Sequence, residues 1–163
     1  MTKSRKKNRL ETFLYKDGYV FVTINVKDHI PYFGKIENDE MILNGYWKII
    51  EECWLRLWQQ YNYIILDEYI IMPNHSHGII IIDNDIVGNG RDRSLQQKIK
   101  WLSSIIWAFK TTSSKKLHES WLQKFQRQRS FYDHIIRNEQ DFQRIREYIQ
   151  INPYKWKNDE YYR

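Results

Sequence analysis

The run HSHGIIII at residues 75–82 stays apolar at odd and even positions alike once its two histidines are passed. A strand sends successive side chains to opposite faces, so a run apolar on both faces belongs at the centre of a sheet rather than at its edge. The same alternation gives the histidines a meaning. His75 and His77 stand two residues apart and project from one face, while Ser76 points from the other. Two neutral imidazoles at that spacing suit one divalent cation, provided further ligands converge from elsewhere in the chain. Gly78 adds almost no bulk beside them, as expected where a neighbouring element approaches closely.

The flanking sequence supplies elements to go with that strand. GYVFVTINV (18–26), rich in β-branched and aromatic residues, reads as a first strand, and residues 27–44 as a loop or short hairpin. Trp47, Ile50, Trp54, Leu57 and Trp58 recur at helical spacing and predict an amphipathic helix over 45–61, with Cys53 packed beside the stripe. YNYIILDEYIIM precedes the histidine strand as its partner, and DNDIVGNGRDR (83–93) carries the turn residues and charge of an exposed loop. A second helix starts near Ser94 with Ile99, Leu102, Ile105, Ile106 and Phe109 on its stripe, and the polar run TTSSKK closes it. SFYDHII (130–136) reads as the last strand, and a final helix follows that Asn138 caps and Pro153 ends. This order predicts an α+β, ferredoxin-like fold. Helices cover one face of an antiparallel sheet, and an additional C-terminal helix completes the chain.

At 163 residues the chain has room for one domain, read here as residues 13–163 behind a mobile basic arm at 1–12. Lys and Arg outnumber Asp and Glu by 26 to 20, for a formal net charge of +6, which favours a polyanionic partner and nucleic acid first. A single cysteine excludes a disulfide framework and a multi-cysteine zinc site. No apolar run reaches transmembrane length, and the basic start leads into no signal-peptide core, so a cytoplasmic location is expected.

On the final helix Phe142, Ile145 and Ile149 define the buried stripe. Tyr148 and Asn152, one turn apart, share its flank and can lean together over the sheet, although Asn152 precedes Pro153 and its direction is less constrained. Taken alone, such a tyrosine is most simply an amphipathic side chain at a core boundary.

MPNHSHGIIII together with FYDHIIRNEQDFQRIREYIQINPYKW resembles the single-tyrosine HUH transposases, and among them the REP-associated tyrosine transposases of the insertion-sequence-200-like group. The likeness runs from YVFVTINVKD through AFKTTSSKK to YIQINPYKW. It implies that His75 and His77 hold a divalent metal, Mg²⁺ or Mn²⁺, that Tyr148 is the nucleophile, and that Asn152 is a third ligand in place of the glutamine common in relatives. Ser76 stands where the family carries a hydrophobic residue, on the side away from the metal face.

The activity implied is cleavage and rejoining of single-stranded DNA next to hairpins through a 5′-phosphotyrosine link, by a monomer or a homodimer and with no membrane partner. Lys3, Arg5, Lys6, Lys7 and Arg9 of the arm, Arg91 and Arg93 of the loop, and Lys124, Arg127, Arg129 and Arg137 are the candidate phosphate contacts. His134 belongs to the DHIIR landmark without an assigned step, and His29 and His118 read as surface histidines in loops. Two other readings stay open: a hairpin-binding protein of this fold without catalysis, and a metal-dependent hydrolase in which Tyr148 only packs.

Overall fold

Four antiparallel strands form one sheet in the order β4-β5-β1-β6, where β1 is Gly18–Asn25, β4 Ile64–Ile71, β5 His75–Ile82 and β6 Tyr132–Ile136. The computed structural model describes residues 18–82, 95–159 and 161–162, with 95–101 traced by backbone alone. The basic arm, the loop at 83–93 and their seven candidate phosphate contacts (Lys3, Arg5, Lys6, Lys7, Arg9, Arg91 and Arg93) lie outside the described residues. Between β1 and the first helix, α1 (Tyr46–Gln60), the expected hairpin is β2 (Gly34–Glu37) paired with β3 (Glu40–Leu43). The remaining helices are α2 (Leu95–Glu119) and α3 (Glu139–Ile151). Among the described helices none is long and apolar enough to cross a membrane.

β5 is central, as its two-sided apolar pattern requires, and every residue of it is buried. Its even positions, with Val20, Val22, Ile24 and Val26 of the β1 segment, face α1 and α2 in the larger core. Its odd positions continue through Ile79 and Ile81 into a second core, where Tyr19, Phe21 and Ile136 meet Phe142, Ile145 and Ile149 of α3. The sheet is therefore covered on both faces: α1 and α2 take one, and α3 takes the face that carries His75 and His77. TTSSKK does not close α2, which continues to Glu119, because Ser113 and Leu117 are buried within its stripe. Pro153 ends α3 as predicted, the helix stopping at Ile151, but it does not stop the chain's coiling. With no N–H to lose at a first helical position, it opens a 3₁₀ turn over Pro153–Asn158.

Gly78 is where the larger core needs a missing side chain. The buried Trp54 ring of α1 lies against its Cα, and an added Cβ would overlap that ring. Alanine normally improves a strand glycine; here it should destabilise the chain by about 1–3 kcal/mol through overpacking. A Gly78→Ala denaturation midpoint at or above that of the parent would contradict this packing.

Candidate active site

β1 and β5 pair in a register that sets Thr23 opposite His77 and Asn25 opposite His75, all four on the α3 face. The His77 Nδ1 and Thr23 Oγ1 share a hydrogen bond of 2.9 Å. His75 is fixed more tightly. The Asn74 amide nitrogen donates to the carbonyls of His29 and Tyr161 at 3.0 and 2.8 Å, which identifies its oxygen as the atom 2.8 Å from His75 Nδ1. An amide oxygen only accepts, so His75 carries its proton on Nδ1 and presents a bare Nε2. That Nε2 faces His77 Nε2 at 2.9 Å. Two bare ring nitrogens cannot face each other this closely; either His77 donates its Nε2–H or a cation is shared between them.

Burial holds both rings neutral. It lowers the His77 pKa to about 3, and it lowers that of His75 well below the usual value, with smaller contributions from His77 and His29 beside it. Neutral imidazole is the form that ligates metals. An oxygen of Asp159, just after the 3₁₀ turn, lies within 4.8 Å of one ring nitrogen of each histidine. This set of two imidazoles and a carboxylate fits one divalent ion.

Tyr148 reaches the pair from α3. Its phenol oxygen is 3.5 Å from His77 Nε2, its ring stands edge-on to Phe21 and to His77, and the residue is 36% exposed. Asn152, one turn on, keeps helical angles despite Pro153, because the 3₁₀ turn continues directly and Lys155 N donates to its carbonyl. Its side chain is buried at 1% exposure, and neither amide atom has a hydrogen-bond partner. Leaving a buried amide unsatisfied costs about 1–3 kcal/mol, so this group is one that a bound ligand or cation would satisfy.

α3 is clamped at its start and near its middle. Asn138 caps it by accepting from Asp141 N at 2.8 Å, and His134 of β6 bonds Asp141 at 2.8 Å. Burial alone would raise the Asp141 carboxyl, but the hydrogen bonds from His134 and Arg144 outweigh it and hold the pKa below its usual value. Two residues before Tyr148, Arg146 bridges to Asp67 and Glu68 at 3.0 and 3.1 Å, where the β4 register shifts. His134 thus has a structural place that its sequence context left open.

The site contains residues that the sequence did not single out. Asp159 and Tyr161 arrive by the 3₁₀ turn, and the Tyr161 ring lies 4.7 Å from that of His75. His29, expected at the surface, stacks on Tyr161 at 5.5 Å, and His118 lies within α2 and bonds the Phe125 carbonyl. Thr23 was legible as a polar residue inside a β-branched run, and Asn74 as the neighbour of His75. Of the remaining candidate phosphate contacts, Lys124, Arg129 and Arg137 are exposed, whereas two Arg127 guanidinium nitrogens are buried.

No protein-family model matches the chain. An uncharacterized protein of Haemophilus influenzae (strain Rd) is 35% identical to it over 172 residues, covering 97% of this chain and 93% of that one. The chain belongs to the family of that Haemophilus protein. Among solved structures, a REP-associated tyrosine transposase bound to a REP hairpin matches with a TM-score of 0.56 at 20% identity, over 85% of this chain and 67% of that one. A candidate transposase from Deinococcus radiodurans R1 matches with a TM-score of 0.52 at 11% identity, over 92% and 96%. The fold is that of the REP-associated tyrosine transposases, as the sequence resemblance implied.

Proposed function

We propose that the chain is a single-stranded DNA transposase that cleaves and rejoins DNA beside hairpins, with Tyr148 as its nucleophile. The observation that carries this reading is one convergence. A phenol from α3 lies 3.5 Å from Nε2 of His77, 71 residues earlier in the chain and one of two neutral imidazoles paired on the central strand. The neighbour bound to a REP hairpin supports DNA as the partner.

In the first displacement the Tyr148 oxygen bonds to phosphorus and the phosphorus–3′-oxygen bond breaks. The phenolic proton can pass to water at the exposed edge of the ring, and the departing 3′ oxygen ends as a hydroxyl. The 5′ phosphate stays on Tyr148, so one strand transfer becomes two easier steps. A second 3′ hydroxyl reverses the chemistry on a new end, and because the phosphodiester energy is kept, no ATP is consumed.

His75, His77 and Asp159 would hold a divalent metal, with the Asn152 amide as the fourth candidate ligand. When bound, it would supply charge stabilisation at the scissile phosphate and the departing oxygen. Mg²⁺ and Mn²⁺ both fit a phosphate substrate, and two imidazole nitrogens suit Mn²⁺ better. The chain's own contribution is position. Asn74 and Thr23 orient the imidazoles, while Phe21, Arg146 and the Asn138 cap fix the approach of Tyr148.

The test is a hairpin oligonucleotide with a single-stranded flank, incubated with the protein in Mn²⁺ and resolved under denaturing conditions. A covalent protein–DNA band that disappears with a chelator is expected. Binding without any such band would favour a non-catalytic hairpin-binding protein, and cleavage without it would favour water as the nucleophile.

A further inference from the structure

The AFKTTSSKK stretch (108–116) plays no part in the histidine site, because α2 packs on the opposite face of the sheet. Its residues Lys110, Thr111, Ser114 and Lys115 fall on one side of α2 and, with Trp107 one turn earlier, line a groove of about 850 Å³. The other wall is the segment 125–131, which leads into β6. That wall is built rather than loose. Lys110 Nζ donates to the carbonyls of Gln128, Arg129 and Ser130, His118 Nε2 donates to that of Phe125 at 2.8 Å, and Lys27 N donates to that of Gln126.

The groove is strongly basic. Among the described residues Lys110, Lys115, Arg127 and Arg129 line it against one carboxylate, that of Glu119, which lies 4.0 Å from Lys115. Arg127 forms part of the floor, its guanidinium lying over the rings of Phe109 and Phe125 at 4.9 and 5.3 Å. One of its nitrogens donates to Ser113 at 3.1 Å, while Nε and Nη1 are buried without a hydrogen-bond partner. Burial lowers its pKa to about 9, which leaves it cationic at neutral pH. Among the described residues no carboxylate pairs with it; a buried cation so placed is unfavourable, and an anion seated in the groove would relieve it. Trp107, which also lines the groove, is 69% exposed, so its indole face is open to a stacking partner.

The wall ends beside the candidate active site. Gln128 bonds Asn25, the β1 residue paired with His75, at 3.3 Å, and contacts His29 at 3.2 Å. The His29 ring stacks on Tyr161, which in turn packs on His75.

We infer that this groove binds the single-stranded DNA flanking the hairpin, with phosphates at Lys115 and Arg129 and an unpaired base on Trp107. The inference rests on the DNA reading above and names where that strand runs. An unpaired strand fits better than a duplex stem, because base faces are free for an indole only where they are not already stacked in a helix.

The test combines Trp107→Ala, Lys115→Ala and Arg129→Ala in the full chain, all three side chains being exposed so that melting should be unchanged. Anisotropy titrations compare a labelled hairpin carrying single-stranded flanks with the same hairpin made blunt. The triple variant should lose at least tenfold in affinity for the flanked DNA and less than twofold for the blunt one. Its salt dependence on the flanked DNA should be shallower by about 1.4 in log K per log salt, from two phosphate contacts at roughly 0.7 each. Equal binding of flanked DNA by variant and parent would overturn the groove assignment, as would an equal loss on both DNAs, which would place the duplex stem there. A parent chain that binds neither DNA would remove the functional reading together with the groove, whereas parental binding that the variant retains removes the groove alone.

Discussion

Alanine at His75 or at His77 will eliminate metal-dependent cleavage of hairpin DNA while leaving a folded chain. Each replacement strips a ring from the Nε2 pair and leaves a buried partner, Asn74 Oδ1 or Thr23 Oγ1, without its hydrogen bond. Cavity and lost bond together should cost about 2–4 kcal/mol, below the roughly 5–15 kcal/mol typical of a native domain. Metal binding provides a readout independent of catalysis. At a Mn²⁺ concentration one hundred times its dissociation constant, the parent should gain about 2.7 kcal/mol of stability, and either variant almost none. A His77→Ala chain that keeps the full Mn²⁺-induced rise in melting temperature would place the metal elsewhere.

The second large effect is at Tyr148. Phenylalanine keeps the ring packed edge-on against Phe21 and His77 and removes only the oxygen that faces His77. Stability and hairpin affinity should therefore stay within about 0.5 kcal/mol of the parent, as for a substitution at a half-exposed position. Cleavage should fall by a factor on the order of 10³ or more, because the attacking oxygen is lost while the ring and its contacts stay in place. Residual cleavage near the parental rate, compared in a single-turnover assay, would mean that water or another side chain attacks phosphorus.

Much of this site could be read before the fold was known, and the reason is periodicity. HSHGIIII fixes both the centrality of β5 and the common face of its histidines, since a strand offers only two directions. Three apolar residues on α3 fix its buried stripe, which leaves Tyr148 on the flank where it is found. What the residues alone could not fix depends on chain reversals and long-range pairing. Asp159 and Tyr161 reach the imidazoles only because a 3₁₀ turn follows Asn152, and a proline at that point reads equally well as an end.

Arg127 shows what local sequence leaves out. QRQR looks like a solvated basic run, yet Arg127 forms an isolated β-bridge with Val26 and turns inward over Phe109. Arg146 likewise reads as one charge among many until β4 brings Asp67 and Glu68 to it.

The central claim is a phosphotyrosine link of one polarity at one residue. The direct measurement uses one oligonucleotide prepared in two forms, labelled at its 5′ or its 3′ end, cleaved by the parent and by the Tyr148→Phe chain and resolved under denaturing conditions. The 3′-end label should travel with the parent protein, the 5′-labelled fragment should run free with a 3′ hydroxyl, and the variant should form no adduct. A 5′-end label travelling with the protein, or an adduct that survives the loss of the Tyr148 oxygen, would contradict the claim.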